Sequence, residues 1–109
     1  DKFIAALVNL LGNAAKYTPD NGRVTFKVTV ALKEIQISVE DTGIGISSDE
    51  LPKLCTKFFR STDDRVRVLP GSGLGLAFTQ EVARLHGGKL SVHSELNKGS
   101  EFIMTLPTA

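Results

Sequence analysis

Four side chains with ligand chemistry crowd into one short stretch, Asn9-Leu10-Leu11-Gly12-Asn13-Ala14-Ala15-Lys16-Tyr17. At about 100° per residue, a helix would gather Asn9, Asn13, Lys16 and Tyr17 within roughly a third of its circumference. An Asn amide offers a hard oxygen to Mg²⁺, Lys a point charge to phosphate, and Tyr a surface for stacking. The set suits a ligand with a metal-bound phosphate at one end and a flat ring at the other. Opposite these groups, Phe3, Leu7, Leu11 and Ala14 recur at three- and four-residue spacing, which predicts a buried stripe.

A second candidate is Asp41. It ends the alternating run Ile35-Gln36-Ile37-Ser38-Val39-Glu40-Asp41, in phase with Ile35, Ile37 and Val39. A carboxylate at the end of an inward-facing row needs a partner, because burying it unpaired is expensive. The partner is either backbone, through an Asx turn with the next glycine, or a donor on a ligand. Gly43 and Gly45 follow at once and allow a sharp bend and a close approach.

The elements that must position these groups are legible from periodicity and punctuation. The first helix runs to about Tyr17, and Thr18-Pro19-Asp20-Asn21-Gly22 ends it. Arg23 to Ala31 alternates, with Val24, Phe26, Val28 and Val30 on one face, and Leu32-Lys33-Glu34 reads as a turn into the Ile35–Asp41 strand. Ser47 and Glu50 have capping-box spacing, so a short helix is predicted there, with Leu51, Leu54 and Phe58 facing the core. Arg60 to Ser72 lacks periodicity and reads as a lid loop. A second strong helix follows, with Leu74, Phe78, Val82 and Leu85 on one face and His86-Gly87-Gly88 at its end. Lys89 to Glu95 and Ser100 to Leu106 are two more strands. The expected fold is an α+β two-layer sandwich, with a mostly antiparallel mixed sheet and helices on one face.

Composition narrows the class. The 109 residues fit one domain, and a net charge of +1 gives no argument for a nucleic-acid surface. One Cys excludes an internal disulfide framework, and no run is long enough to span a bilayer, so no membrane contact is expected of this domain. Cys55 reads as a small semi-buried residue. His86 and His93 read as structural, the latter on a strand's solvent face.

Gly71-Ser72-Gly73-Leu74-Gly75-Leu76 has neither Rossmann nor P-loop spacing. Glycines entering a helix still leave amide N–H groups at its positive end, where phosphate is a natural ligand.

Taken together, these segments resemble the ATP-binding catalytic domain of sensor histidine kinases, in the wider superfamily of gyrase B, the large heat-shock chaperone and the mismatch-repair ATPases. Asn9 to Tyr17 is similar to the family's asparagine box, and Asp41-Thr42-Gly43-Ile44-Gly45-Ile46 to its first glycine box. Phe58-Phe59-Arg60 stands at the phenylalanine box, and Gly71 to Ala77 at the second glycine box. The resemblance implies ATP and Mg²⁺ as cofactors. It implies Asn13 as the metal ligand, Asn9 as support for phosphate and metal, Lys16 on phosphate, and Tyr17 against adenine and ribose. It also implies Asp41 as acceptor from the adenine amino group, Gly43, Gly45 and Ile46 around the base, Arg60 near the γ-phosphate, and amides of Gly73, Leu74, Gly75 and Leu76 on the phosphates.

Hydrolysing relatives carry glutamate where Asn9 stands, and an amide takes no proton at neutral pH, so transfer is expected over hydrolysis. The resemblance implies a phosphoacceptor histidine on a separate dimerisation domain not contained in residues 1–109. It further implies a response-regulator receiver domain as partner, a homodimeric parent and a cytoplasmic location. The alternatives are a non-catalytic nucleotide-binding adaptor and an anti-sigma-factor serine kinase of the same fold. Cys55 departs from the aromatic common at that position. The chain also looks like part of a longer protein, without a strand and part of a helix that the family domain carries before this point.

Overall fold

The computed structural model describes residues 1–57, 59–67 and 75–108. Helix α1 spans Lys2–Tyr17. The Asp1 carboxylate caps it by accepting from the Phe3 amide at 2.7 Å, which satisfies one of the donors orphaned at a helix start. Thr18 ends it in an extended conformation and returns its hydroxyl to the Ala14 carbonyl at 2.6 Å. Pro19 then blocks continuation.

Strands β1 (Val24–Val30), β2 (Glu34–Asp41), β3 (Lys89–Glu95) and β4 (Gly99–Pro107) form one sheet in the order β1-β2-β4-β3. All three pairings are antiparallel. Two hairpins thus lie side by side, with β2 and β4 at the centre. Between them in sequence run a 3₁₀ turn at Leu51–Lys53, a short helix α2 (Asp64–Arg67) and helix α3 (Gly75–Leu85).

The long helices α1 and α3 pack against each other on one face of the sheet, α1 over β2 and α3 over β3 and β4. This is the expected two-layer sandwich. Its core holds Leu10, Val39, Val82 and Met104, each at most 1% exposed.

Several expectations are corrected. The buried stripe of α1 is Ala6, Leu10 and Ala14, flanked by half-buried Phe3 and Leu7, whereas Leu11 turns outward with Ile4 and Val8. The apolar arc of α1 is wide enough that spacing alone left its centre undetermined. The inward face of α3 is Thr79, Val82 and Ala83, with Leu76 and Phe78 half-buried and Leu85 exposed. Thr79 is tolerated there because its hydroxyl bonds the Gly75 carbonyl at 2.9 Å.

The β1 row Val24, Phe26, Val28 and Val30 does share the inward face, opposite Asp41, Val39, Ile37 and Ile35. It stays exposed because α1 lies over β2 and reaches no further. The Ser47–Glu50 capping box does not form. The short element is a 3₁₀ turn that starts at Leu51, with Pro52 in its first turn and no side-chain cap. The expected lid holds α2 in its described part. Phe58 and residues 68–74 lie outside the described residues.

Helix α3 ends as expected. Gly87, at φ +78°, takes the left-handed position, and the Gly88 amide bonds the Ala83 carbonyl at 2.8 Å. His86 is held there by its ring Nδ1 on the Val82 carbonyl and by Phe3 at 5.7 Å between ring centres, and His93 is exposed on β3.

Candidate functional site

A cleft of about 490 Å³ opens beside α1, of the size that takes a small molecule. Asn9, Asn13, Lys16 and Tyr17 line one wall. One helix face supplies all four because they flank the buried stripe. The Lys16 ammonium lies 5.2 Å from the centre of the Tyr17 ring, a cation–π distance.

Asp41 lines the same cleft from the end of β2 and is 7% exposed. Its Oδ1 accepts from the Gly43 amide at 2.8 Å, which is the Asx turn expected from the sequence. Burial pushes its carboxyl up from the ordinary range, and the amides of Gly43 and Ser100 partly offset this. A carboxylate that keeps a desolvation cost after its local bonds are made is suited to take a further donor.

The two glycines beside it have work within the fold. A side chain at Gly43 would lie 2.4 Å from the Tyr17 carbonyl. One at Gly45, where φ is +70°, would lie 2.0 Å from the Glu95 carbonyl. The room that glycine leaves is thus filled by protein backbone, which welds the loop to α1 and to the β3–β4 turn. The Ile44 amide donates to the Tyr17 carbonyl, and the Asn97 amide donates to the Ile44 carbonyl. Gly43 does not line the cleft, whereas Gly45 and Ile46 do.

The far end of the cleft is made by α3. Gly75 and Leu76 line it, and a side chain at Gly75 would lie 3.4 Å from Asn9 Oδ1. The N-terminal, positive end of α3 therefore meets Asn9. Gly73 and Leu74 lie outside the described residues. Along α1 the cleft runs from Asn9, beside α3, to Tyr17, beside Asp41, eight residues or about 12 Å at 1.5 Å per residue. An end where the Asn9 amide meets the start of α3 and an end where Asp41 lies beside Tyr17 thus stand apart by about the length of an extended nucleotide.

Arg60 lines the cleft from the segment leading to α2, half-buried, with its Nη2 donating to the Val66 carbonyl at 2.9 Å. Arg65 is engaged elsewhere, paired with Asp63 at 2.8 Å and bonded to Asn97 Oδ1 at 3.0 Å. Cys55 is half-buried, and burial pushes its thiol up, away from a reactive thiolate.

Sequence reasoning missed several lining residues, among them Glu50, Thr62, Leu96 and Ser100. Ser100 had a readable signal, since Gly99-Ser100 begins the strand that pairs with Asp41. Leu96 and Thr62 had none, being brought in by turns whose path is tertiary. Among the described residues no three His, Cys, Asp or Glu cluster as a metal cage. No described helix is long and apolar enough to cross a membrane.

The family model described as "Histidine kinase-, DNA gyrase B-, and HSP90-like ATPase" matches residues 1–109. The chain belongs to this ATPase family. Its relatives are sensor histidine kinases of two-component systems. It is 41% identical over 109 residues to sensor histidine kinase WalK of Bacillus subtilis, covering 98% of this chain and 18% of WalK. It is 43% identical over 99 residues to sensor histidine kinase RppB of Synechocystis, covering 91% of this chain and 22% of RppB. The chain thus spans about a fifth of the length of these relatives.

Among solved structures, the mycobacterial sensor histidine kinase MprB superposes with a TM-score of 0.84 at 35% identity, over 94% of this chain and 70% of MprB's. Full-length ShkA in complex with AMPPNP superposes at 0.83 with 32% identity, over 99% of this chain and 22% of ShkA's. The ATPase-family domain thus has the sandwich of histidine kinase catalytic domains, with its cleft between α1, the end of β2 and the start of α3.

Proposed function

We propose that this ATPase-family domain binds Mg-ATP and presents the γ-phosphoryl group to a histidine on a separate dimerisation domain of a sensor histidine kinase. The observation that carries the reading is the polarity of the cleft. Asn9 meets the start of α3 at one end, buried Asp41 lies beside the Tyr17 end of α1 at the other, and Asn13 and Lys16 line the α1 wall that joins them. Asp41 would accept from the adenine amino group. Tyr17 would lie along the base and ribose. Lys16, Arg60 and the first amides of α3 would hold phosphate oxygens.

The donor set fits Mg²⁺. Asn13 would supply one neutral oxygen, and Mg²⁺ usually keeps several waters and takes further ligands from substrate phosphates rather than from an all-protein cage. When bound, the ion would neutralise charge gathering on the phosphates. The residues' share is positioning and charge, which is most of what phosphoryl transfer asks of a protein. Asn9 supports transfer over hydrolysis, because its amide offers no base to activate water. The acceptor histidine, the homodimeric parent and a response-regulator receiver domain complete the proposed pathway, in the cytoplasm.

The test is calorimetric titration of the chain with AMPPNP, with and without Mg²⁺, beside a GTP analogue. Mg²⁺-dependent binding that prefers adenine is expected. A folded chain that binds neither analogue would sink the reading.

A further inference from the structure

Glu50 was expected to cap a helix, and it does something else. It sits at the entry of the 3₁₀ turn, half-buried and lining the cleft. Its two carboxylate oxygens accept three bonds from one short segment: from Ser61 Oγ at 2.5 Å, from the Thr62 amide at 3.0 Å and from Thr62 Oγ1 at 3.2 Å. Ser61 and Thr62 directly follow Arg60. The same segment is stiffened by the Asp63 amide on Ser61 Oγ, and by Asp63 Oδ1, which accepts from the Arg65 amide. The Arg60 guanidinium returns to this segment through the Val66 carbonyl. The reach of Arg60 into the cleft is therefore set by where residues 61–66 are held, and Glu50 holds their start.

Resting on the nucleotide reading above, we infer that Glu50 is a positioning residue: it aims Arg60 at the terminal phosphate and so tunes the preference for ATP over ADP. Three donors converge on it, so a carboxylate is needed. A glutamine offers one acceptor oxygen and turns an N–H₂ toward the others. Glu50 itself does not touch the phosphate, since it is an anion spent on protein donors.

The experiment compares AMPPNP and ADP affinities, both with Mg²⁺, for the wild-type chain and for Glu50→Gln, Arg60→Ala and the double variant. Amide hydrogen exchange at Thr62 is read alongside. Expected are faster exchange at Thr62 in Glu50→Gln and a fall of about fivefold in the AMPPNP-over-ADP preference, the size of one modest hydrogen bond. ADP affinity should hold. Arg60→Ala should lose the same preference, and Glu50→Gln should add nothing in that background, as expected when one residue acts through another. Equal loss for both nucleotides would mean a structural role only and would overturn the inference, as would an unchanged preference with Thr62 exchange accelerated. A wild-type chain that binds neither nucleotide would overturn the nucleotide reading itself, which separates that failure from this one. Ser61→Ala, which removes one donor and leaves Glu50 intact, gives a smaller change of the same kind if Glu50→Gln fails to fold.

Discussion

Asp41→Asn should separate recognition from stability. Asp41 is 7% exposed, and its carboxyl is raised by burial. The sign follows from linkage. A carboxyl whose folded value is raised favours the folded state at pH below the unfolded value of about 3.9, and this contribution is lost as pH rises through the folded value. At neutral pH the desolvation cost is fully in force. Asparagine removes that cost and keeps an oxygen for the Gly43 amide, which now sits 2.8 Å from Asp41 Oδ1, and gives up the lesser contribution of the Ser100 amide. The variant is therefore as stable as the wild type or stabler at neutral pH, and the advantage shrinks toward pH 4. Ligand affinity moves the other way. A hydrogen bond to a charged acceptor is worth about 1.5–3 kcal/mol and a neutral one about 1, so about 0.5–2 kcal/mol is lost, or about 2- to 30-fold in Kd for AMPPNP. The loss should be selective, because the asparagine amide can donate to the oxygen that guanine carries in place of the amino group. Urea denaturation at two pH values and titration with both nucleotide analogues check it. Destabilisation at neutral pH, or an equal loss for both nucleotides, would refute the reasoning.

Gly12 stands mid-helix in α1, and a side chain there would meet nothing within 4 Å, so Gly12→Ala should stabilise the chain by about 0.5–1 kcal/mol, read in thermal denaturation. Leu10→Ala should cost about 2–5 kcal/mol, because Leu10 is 1% exposed at the junction of α1 with the sheet; a loss below 1 would argue that the core had refilled. Gly45→Ala should disorder the loop after Asp41 and abolish nucleotide binding, because a side chain would strike the Glu95 carbonyl at a φ of +70°; unchanged chemical shifts at Ile44 and Asn97 would count against it.

The parts of the fold carried by local chemistry were legible. The end of α1 follows from Thr18-Pro19, and the end of α3 from Gly87-Gly88. The Asx turn at Asp41 follows from a carboxylate in phase with an apolar row and a glycine two residues on. What was not legible was set at a distance. Leu11 satisfies the same periodicity as Leu10, and only the placement of the sheet under α1 decides which is buried. The β1 row alternates as a buried strand does, yet stays exposed because covering it requires a second element over that edge. Ser47 and Glu50 have capping-box spacing, but Ser61 and Thr62 offer Glu50 three donors where a cap offers one.

The cleft shows the same division. Asn9, Asn13, Lys16 and Tyr17 could be grouped from sequence because one helix carries them and helical spacing is rigid. Asp41 could be added because strand parity is equally rigid. Their convergence depends on contacts that glycine permits. Gly43 lets β2 end against the Tyr17 carbonyl and Gly45 lets the loop close on Glu95, whereas a side chain at Gly75 would meet Asn9 only at ordinary contact distance. Gly43 and Gly45 therefore serve first to bring α1, the end of β2 and the β3–β4 turn together around one cleft. Recognition is left to the few polar groups that those contacts aim inward, so substitution at Gly45 and at Asp41 should differ in kind. The first loses the cleft, and the second keeps it and changes what it prefers.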